Sequence, residues 1–211
     1  MMALEKETVG GLSVSRETIA ALRTFEAEVR RWTPAVNLVS RGSLEQLWDR
    51  HIDDSAQVFH ACPADACRWL DLGSGGGFPG LVVAVLAREL QPNLHVTLVE
   101  SDQRKAAFLL QTALKLGLDV AVHAKRIESL SPQAADVVSA RALAPLADLL
   151  DLSLPHLKPG GTALFQKGAR HGEEVSEARK TWIFDLDTRP STLDPDAALL
   201  IIRKFHREQL P

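Results

Sequence analysis

Two cysteines, Cys62 and Cys67, are all the chain carries. Their spacing matches no common zinc or redox pattern, and two free thiols are what a reducing compartment permits. Long apolar runs are missing too, and none reaches the length of a membrane span. The first residues, Met1 to Glu7, lack the basic start and apolar stretch of a secretory leader. No repeat or low-complexity segment interrupts the chain. Charge of one sign is not in excess: the formal net charge is −3. That value neither suggests nor excludes a nucleic-acid partner, because such binding depends on local patches. The expectation is therefore a cytoplasmic chain with no metal and no membrane. Its 211 residues, 45% hydrophobic and 24% charged, suffice for one good core with a small appendage.

Hydrophobic spacing then organises the chain. Residues 15–32 read as an amphipathic helix with Ser15 as N-cap and Ile19, Leu22, Phe25, Val29 and Trp32 on one face. Pro34 is expected to stop it. A second helix is expected over 43–59, carrying Leu44, Leu47, Ile52 and Phe59. Residues 1–62 thus form an N-terminal helical extension, and 63–211 form the core. From Arg68, strands at 68–72, 95–100, 120–124, 136–140 and 162–166 alternate with helices at 79–90, 102–116 and 144–154. That alternation predicts a parallel sheet with helices on both faces. Lys158-Pro159-Gly160-Gly161 reads as the turn into the fifth strand. The tail has a polar helix near 172–181, then strands at 182–187 and 198–204 with no helix between them. Such a pair is expected to close the sheet edge antiparallel. Trp69, Trp182 and Trp32 read as core; Trp48 is either packed or free to stack a base.

The richest segment runs from Asp71 to Gly80, Asp-Leu-Gly-Ser-Gly-Gly-Gly-Phe-Pro-Gly, with Glu100 closing the next apolar run. Glycines this dense let the backbone approach a ligand where a Cβ would clash. Strand, glycine turn, helix and a strand-end acid are the layout of a nucleoside-cofactor site. Two cofactors compete. Gly75, Gly77 and Gly80 satisfy G-x-G-x-x-G, which a dinucleotide asks for, with Glu100 at the right distance. The turn begins earlier, however, at Asp71 and Gly73. A pyrophosphate wants bare amides and a helix N-terminus, and a nearby acid repels it. S-adenosylmethionine brings a sulfonium and an ammonium, which Asp71 suits. Glu100 holds the ribose hydroxyls in either reading.

After the fourth strand stands Ser139-Ala140-Arg141-Ala142-Leu143. No Asp/Asn-Pro-Pro-aromatic motif is there for amino-group methylation. No Pro-Cys nucleophile is there for cytosine C5, and no carboxylate trio for Mg²⁺. The site offers a cation instead. These absences are compatible with one kind of acceptor: guanine N7 has an in-plane lone pair and no proton to lose, so it needs no general base, and catalysis would then rest on positioning.

Six segments in register extend this reading. They are Asn37-Leu38-Val39-Ser40, Arg50-His51-Ile52-Asp53-Asp54-Ser55, the glycine turn, Arg104-Lys105 with Phe108-Leu109, Ser139-Ala140-Arg141-Ala142, and Lys167-Gly168. Together they resemble the bacterial small-subunit rRNA guanine-N7 methyltransferases, also called glucose-inhibited division protein B, from about residue 20 to the end. The resemblance implies a class I methyltransferase: a Rossmann-like α/β fold with a mostly parallel seven-stranded sheet, using S-adenosylmethionine. It implies as target guanine 527, in the 530 loop of 16S rRNA, within a small ribosomal subunit or an assembly intermediate. By position, Gly73 and Phe78 would line the cofactor pocket with Asp71, Gly75 and Gly77. Glu100 would hold the ribose, and Ile127 and Glu128 would face the adenine. Arg141 would sit beside the methionine end and the acceptor. The chain departs from the family at Ser74-Gly75-Gly76-Gly77, where many members have Thr-Gly-Pro-Gly, at Phe78 (Leu) and at Val36 (Tyr).

Other residues keep two readings. Asn37 either bonds the target base or caps a turn, and Arg50 and His51 either face the active-site mouth or are ordinary surface. Arg16, Arg23 and Arg30 share one helical face, either solvated or phosphate-contacting. Lys125, Arg126, Lys167 and Arg170 are candidates for a basic rim. A monomer is expected. Two rival classes remain open: an NAD-dependent oxidoreductase, and a non-catalytic RNA-binding protein on the same fold.

Overall fold

The computed structural model describes residues 7–208, so the leader reading at positions 1–6 lies outside the described residues. The described residues begin with a hairpin absent from the helical reading of this region. Strands β1 (Glu7–Val9) and β2 (Leu12–Val14) pair antiparallel across Gly10-Gly11. A Gly-Gly dipeptide between short apolar alternations is a hairpin signal, but three residues a strand do not stand out from a loop. Val9 and Val14 are buried, and the Gly10 N–H donates to Asp53 Oδ1 at 3.0 Å.

Helix α1 (Arg16–Val36) starts where the pattern places it. Ser15 is extended, and its hydroxyl accepts the Thr18 N–H. The helix does not stop at Pro34. In the last turn a proline forfeits one ladder bond where the ladder is ending anyway. Asn37 closes it instead, at φ 53, with its N–H on Thr33 O at 2.8 Å. The single helix expected over 43–59 is three pieces: α2 (Arg41–Leu44), a π-helical stretch (Trp48–Asp53) and α3 (Asp54–Phe59). A π turn carries an extra residue that rotates the face, which a 3.6-residue pattern does not encode. Leu47 and Ile52 stay in the core, while Arg50 and His51 line a cleft.

The remaining elements alternate as read: β3 (Arg68–Leu72), α4 (Gly80–Leu90), β4 (His95–Val99), α5 (Gln103–Leu116), β5 (Val120–His123), β6 (Ala135–Arg141), α6 (Leu146–Ser153), β7 (Leu157–Lys167), α7 (His171–Ala178), β8 (Trp182–Pro190) and β9 (Ala198–Arg207). The seven strands lie in the order β5-β4-β3-β6-β7-β9-β8. The first five are parallel, and β9 runs antiparallel to both its neighbours. Strand β7 begins five residues before the expected 162, because the Pro-Gly-Gly turn is absorbed as an irregularity in its pairing with β6.

Two apolar layers sandwich the sheet. On one side Leu22, Phe25, Leu81, Val85 and Phe108 join α1, α4 and α5. On the other, Leu146, Leu150, Ala178 and Trp182 join α6, α7 and the edge strands. Helix α4 is buried from Gly80 to Ala87, so that stretch is apolar all round rather than striped. Glu89 at its end accepts the Ser15 and Thr18 hydroxyls at 2.7 and 2.6 Å, tying the α1 cap to the core. Trp69 and Trp182 are buried; Trp32 is half-buried, edge-on to Phe108 at 5.7 Å. No helix among the described residues is long and apolar enough to cross a membrane.

Strand β3 lies between β4 and β6, so chain direction across the sheet reverses there. The crevice at the C-terminal ends of such strands is where open α/β sheets hold ligands. Gly80 permits the close approach that shapes it. A Cβ there would meet the Leu98 side chain and lie 2.6 Å from Asp71 Oδ2. Gly80→Ala is therefore expected to lower stability by about 1–3 kcal/mol, as overpacking does; a urea melt checks it.

Candidate functional site

Two cavities open at this sheet edge. The smaller, about 730 Å³, is lined by Gly73, Gly75, Gly76, Phe78, Glu100, Ile127 and Glu128, together with Leu38, Val39 and Ser40. Strand register brings these together: Leu72 pairs with Val99 on one side and Ala140 on the other. The loops after β3, β4 and β6 therefore leave the sheet side by side. Gly75 has φ +52, and the nearest atom to a Cβ built there is 3.7 Å away. That open space belongs to the cleft. Gly77 differs, since a Cβ on it would meet Leu81 and Phe25, and it lines neither cavity.

Glu100, largely buried, receives the Gly75 N–H on Oε2 and the Asp102 N–H on Oε1, both at 2.8 Å. One amide that a pyrophosphate would need is thus already bonded to a carboxylate, whose charge repels phosphate. A nucleoside with a sulfonium and an ammonium meets no such conflict. The cleft fits S-adenosylmethionine better than a dinucleotide on this ground.

Asp71 lies beneath the turn and lines neither cavity. Its strand partner Ser139 donates to Oδ1 at 2.6 Å, and Trp69 Nε1 donates to Ser139 Oγ at 2.8 Å. Burial pushes the carboxyl up to about 6, against the pull of Ser139. The folded protein therefore binds this proton more tightly than the unfolded chain. The resulting penalty is absent below the ordinary 3.8, grows between pH 3.8 and 6, and is complete above. Asp71→Asn, which keeps an acceptor for Ser139, is expected to be more stable than wild type near neutrality by on the order of 2 kcal/mol. That gain should vanish towards pH 4, as denaturant melts at the two pH values will show.

The larger cavity, about 1080 Å³, is lined by Asp54, Gln166, Lys167, Arg170, Glu174 and Arg189 among others. It shares Arg50, Arg141 and the loop Ala142–Ala144 with the smaller one. Arg141, the last residue of β6, stands at the junction. Its Nη2 donates to Arg50 O at 3.1 Å, Nη1 lies 4.0 Å from Asp54 Oδ2, and Nη1 has no hydrogen-bond partner. Asp54 also accepts Gln166 Nε2 on Oδ2 at 2.5 Å and Ser191 Oγ on Oδ1 at 3.3 Å. Burial raises its pKa while Arg141 opposes the rise. His51 stacks on Phe78 with ring centroids 4.9 Å apart, and neither ring nitrogen has a partner. Burial, then Arg141 and Arg50, push its pKa down to about 3, so it is neutral.

The other candidates divide. Asn37 is exposed, lines neither cavity and caps α1; the structure brings its neighbours Leu38 to Ser40 to the cleft instead. Lys125 and Arg126 line the smaller cavity, Arg170 the larger and Arg50 both. Lys167 is buried, with Nζ on Ala144 O at 2.7 Å and Glu174 Oε2 at 2.5 Å, so it pins the junction loop. Arg23 and Arg30 line neither cavity. Arg23 lies over the Trp48 ring at 3.6 Å, and Arg30 donates to Leu44 O; both pair with Glu26. The residues missed from sequence are Asp54, Gln166 and Ser139. Asp54 stood inside a noted motif, and Gln166 interrupts an apolar strand just before Lys167. No cluster of metal-ligating side chains occurs among the described residues.

Comparison with known proteins agrees with this geometry. Residues 18–193 match the model of the family described as rRNA small subunit methyltransferase G. Proteins named ribosomal RNA small subunit methyltransferase G are similar along nearly the whole chain. That of Ruegeria pomeroyi is 51% identical over 90% of this chain and 93% of its own. That of Methylobacterium nodulans is 45% identical over 100% of both. Among solved structures, an O-methyltransferase from Bacillus cereus in complex with SAH aligns with TM-score 0.57 and 14% identity, covering 86% of this chain and 91% of its own. A ribosomal protein L11 methylase from Lactobacillus delbrueckii subsp. bulgaricus aligns with TM-score 0.58 and 16% identity, over 76% and 79%. The fold is the class I S-adenosylmethionine-dependent methyltransferase fold.

Proposed function

The chain belongs to the rRNA small subunit methyltransferase G family, and from that premise we propose that it methylates N7 of guanine 527 in 16S rRNA, by direct transfer, as a cytoplasmic monomer. The observation that carries this reading is the meeting of two cavities at Arg141. A cleft suited to a nucleoside donor adjoins a second cleft large enough for an extruded nucleotide, and Arg50, Arg141 and Ala142–Ala144 line both. Bound S-adenosylmethionine supplies a methyl on a sulfonium: the N7–carbon bond forms as the carbon–sulfur bond breaks, the bonding pair stays on sulfur, and the positive charge passes to the purine. No proton moves, so no side chain has to accept one. His51, neutral with a pKa near 3, is a poor base and serves as an apolar wall with Phe78. Gly75 and Glu100 would hold the nucleoside, and the loop pinned by Lys167 would separate it from the acceptor.

Lys125 and Arg126 on the smaller cavity, Arg170 on the larger and Arg50 on both offer the cations that RNA phosphates would meet. Arg23 and Arg30, on α1, line neither cavity. The test is tritium transfer from the labelled donor to naked 16S rRNA, assembling particles and complete small subunits side by side. Incorporation approaching one methyl per 16S rRNA in at least one of them is expected. No incorporation in any, with S-adenosylhomocysteine bound, would leave the non-catalytic RNA-binding reading. Tight NADH binding without S-adenosylhomocysteine binding would leave the oxidoreductase.

A further inference from the structure

We infer that Asp54 and Arg141 read the target base, Arg141 taking guanine O6 and the Asp54 carboxylate taking N1–H and the N2 amine. The inference rests on the proposed guanine-N7 transfer. Its evidence is the order in which groups line the two cavities. The glycine turn lines only the smaller cavity, Arg141 lines both, and Asp54 lines only the larger. Around the edge of guanine the order is N7, O6, N1–H, N2–H₂: an acceptor to be methylated, an acceptor, then two donors. With N7 directed to the smaller cavity, O6 comes next to Arg141, and the two donors come to Asp54.

Unmet hydrogen-bonding capacity matches this demand. Arg141 Nη1 is buried and has no hydrogen-bond partner, so it has donors to offer O6. A carboxylate has about four lone-pair sites, and side-chain donors to Asp54 fill two, from Gln166 and Ser191. Two remain for two N–H groups. Those same two bonds hold the carboxylate in place on α3, so the base meets a preorganised acceptor. Its distance from Arg141, 4.0 Å, is too long for a direct hydrogen bond, which leaves both groups to be completed by a ligand. Adenine reverses the pattern: an amine would face Arg141, and N1, an acceptor, would face the carboxylate. Methylation also makes the purine cationic, and a carboxylate on its Watson–Crick edge stabilises that charge as it develops.

The test uses small subunits reconstituted from 16S rRNA carrying guanosine or inosine at the target position; inosine keeps N7, O6 and N1–H but lacks the N2 amine. Wild type is expected to methylate guanosine about tenfold or more faster than inosine, because a site built for a donor rejects the analogue lacking it. Asp54→Ala and the shape-conserving Asp54→Asn should lose most of that preference, to within about twofold, while their rate on guanosine falls about 10- to 100-fold. Both should bind S-adenosylhomocysteine as wild type does, which shows they are folded. Variants that bind the donor product and keep the wild-type preference would overturn the inference, as would a wild type indifferent to inosine. A wild type that forms no N7-methylguanine on the guanosine subunits would instead sink the proposed function itself.

Discussion

Gly75→Val is expected to abolish binding of S-adenosylhomocysteine, at least 100-fold in Kd by calorimetry, while the protein still folds. Two effects point the same way. The residue sits at φ +52 with open space where a Cβ would stand, so a branched side chain enters the volume the nucleoside needs. A β-branched residue also resists positive φ, at a cost of about 1–2 kcal/mol. Relaxing that strain would pull the Gly75 N–H off Glu100, loosening the carboxylate meant for the ribose. Stability should fall only by the strain, since no buried neighbour is displaced. Unchanged affinity would show that the nucleoside lies elsewhere, and a variant that does not fold would show that the turn serves structure first.

Arg141→Leu is expected to lower kcat/KM for methyl transfer by about 10²–10³, the usual range for removing a preorganised charged donor. Donor-product affinity should fall by less than about tenfold, because Arg141 is shared with the larger cavity while the glycine turn and Glu100 line the nucleoside cleft alone. Its removal also strips Asp54 of the one cation opposing its burial, so the larger cavity should lose order more than the smaller. The split between the two readouts decides the role. Equal losses in transfer and in donor binding would make Arg141 a cofactor ligand alone.

The parallel core was legible because its strands and helices are long and differ in period, and glycine and proline mark their ends. Ser15 as a cap and the edge pair at Trp182–Pro190 and Ala198–Arg207 were legible for the same reason. Apart from the start of α1, the region before Arg68 was not. A hairpin of three-residue strands and a π-helical stretch at Trp48–Asp53 leave no distinctive spacing, and Pro34 weakened rather than ended α1. In the site, the glycine turn and Glu100 could be placed because local spacing determines them. Asp71 could be named but not its surroundings: which way its carboxylate lies depends on Ser139, 68 residues and one strand away, which Trp69 of the same strand as Asp71 bonds in turn. Asp54 and Gln166 meet across 112 residues, a contact no pattern in one segment carries. The arginines of α1 show the converse. Their regular spacing was visible, but their contacts with Glu26 and Trp48 were not.

The central claim, transfer to guanine N7 in 16S rRNA, is tested most directly by mapping the product. Small subunits incubated with the protein and S-adenosylmethionine would be stripped to rRNA, reduced with borohydride and cleaved with aniline, which breaks the chain at N7-methylguanine. One new, protein-dependent cleavage in the 530 loop, at guanine 527, is the predicted result. Methyl incorporation without aniline cleavage, or cleavage at another guanine, would contradict it.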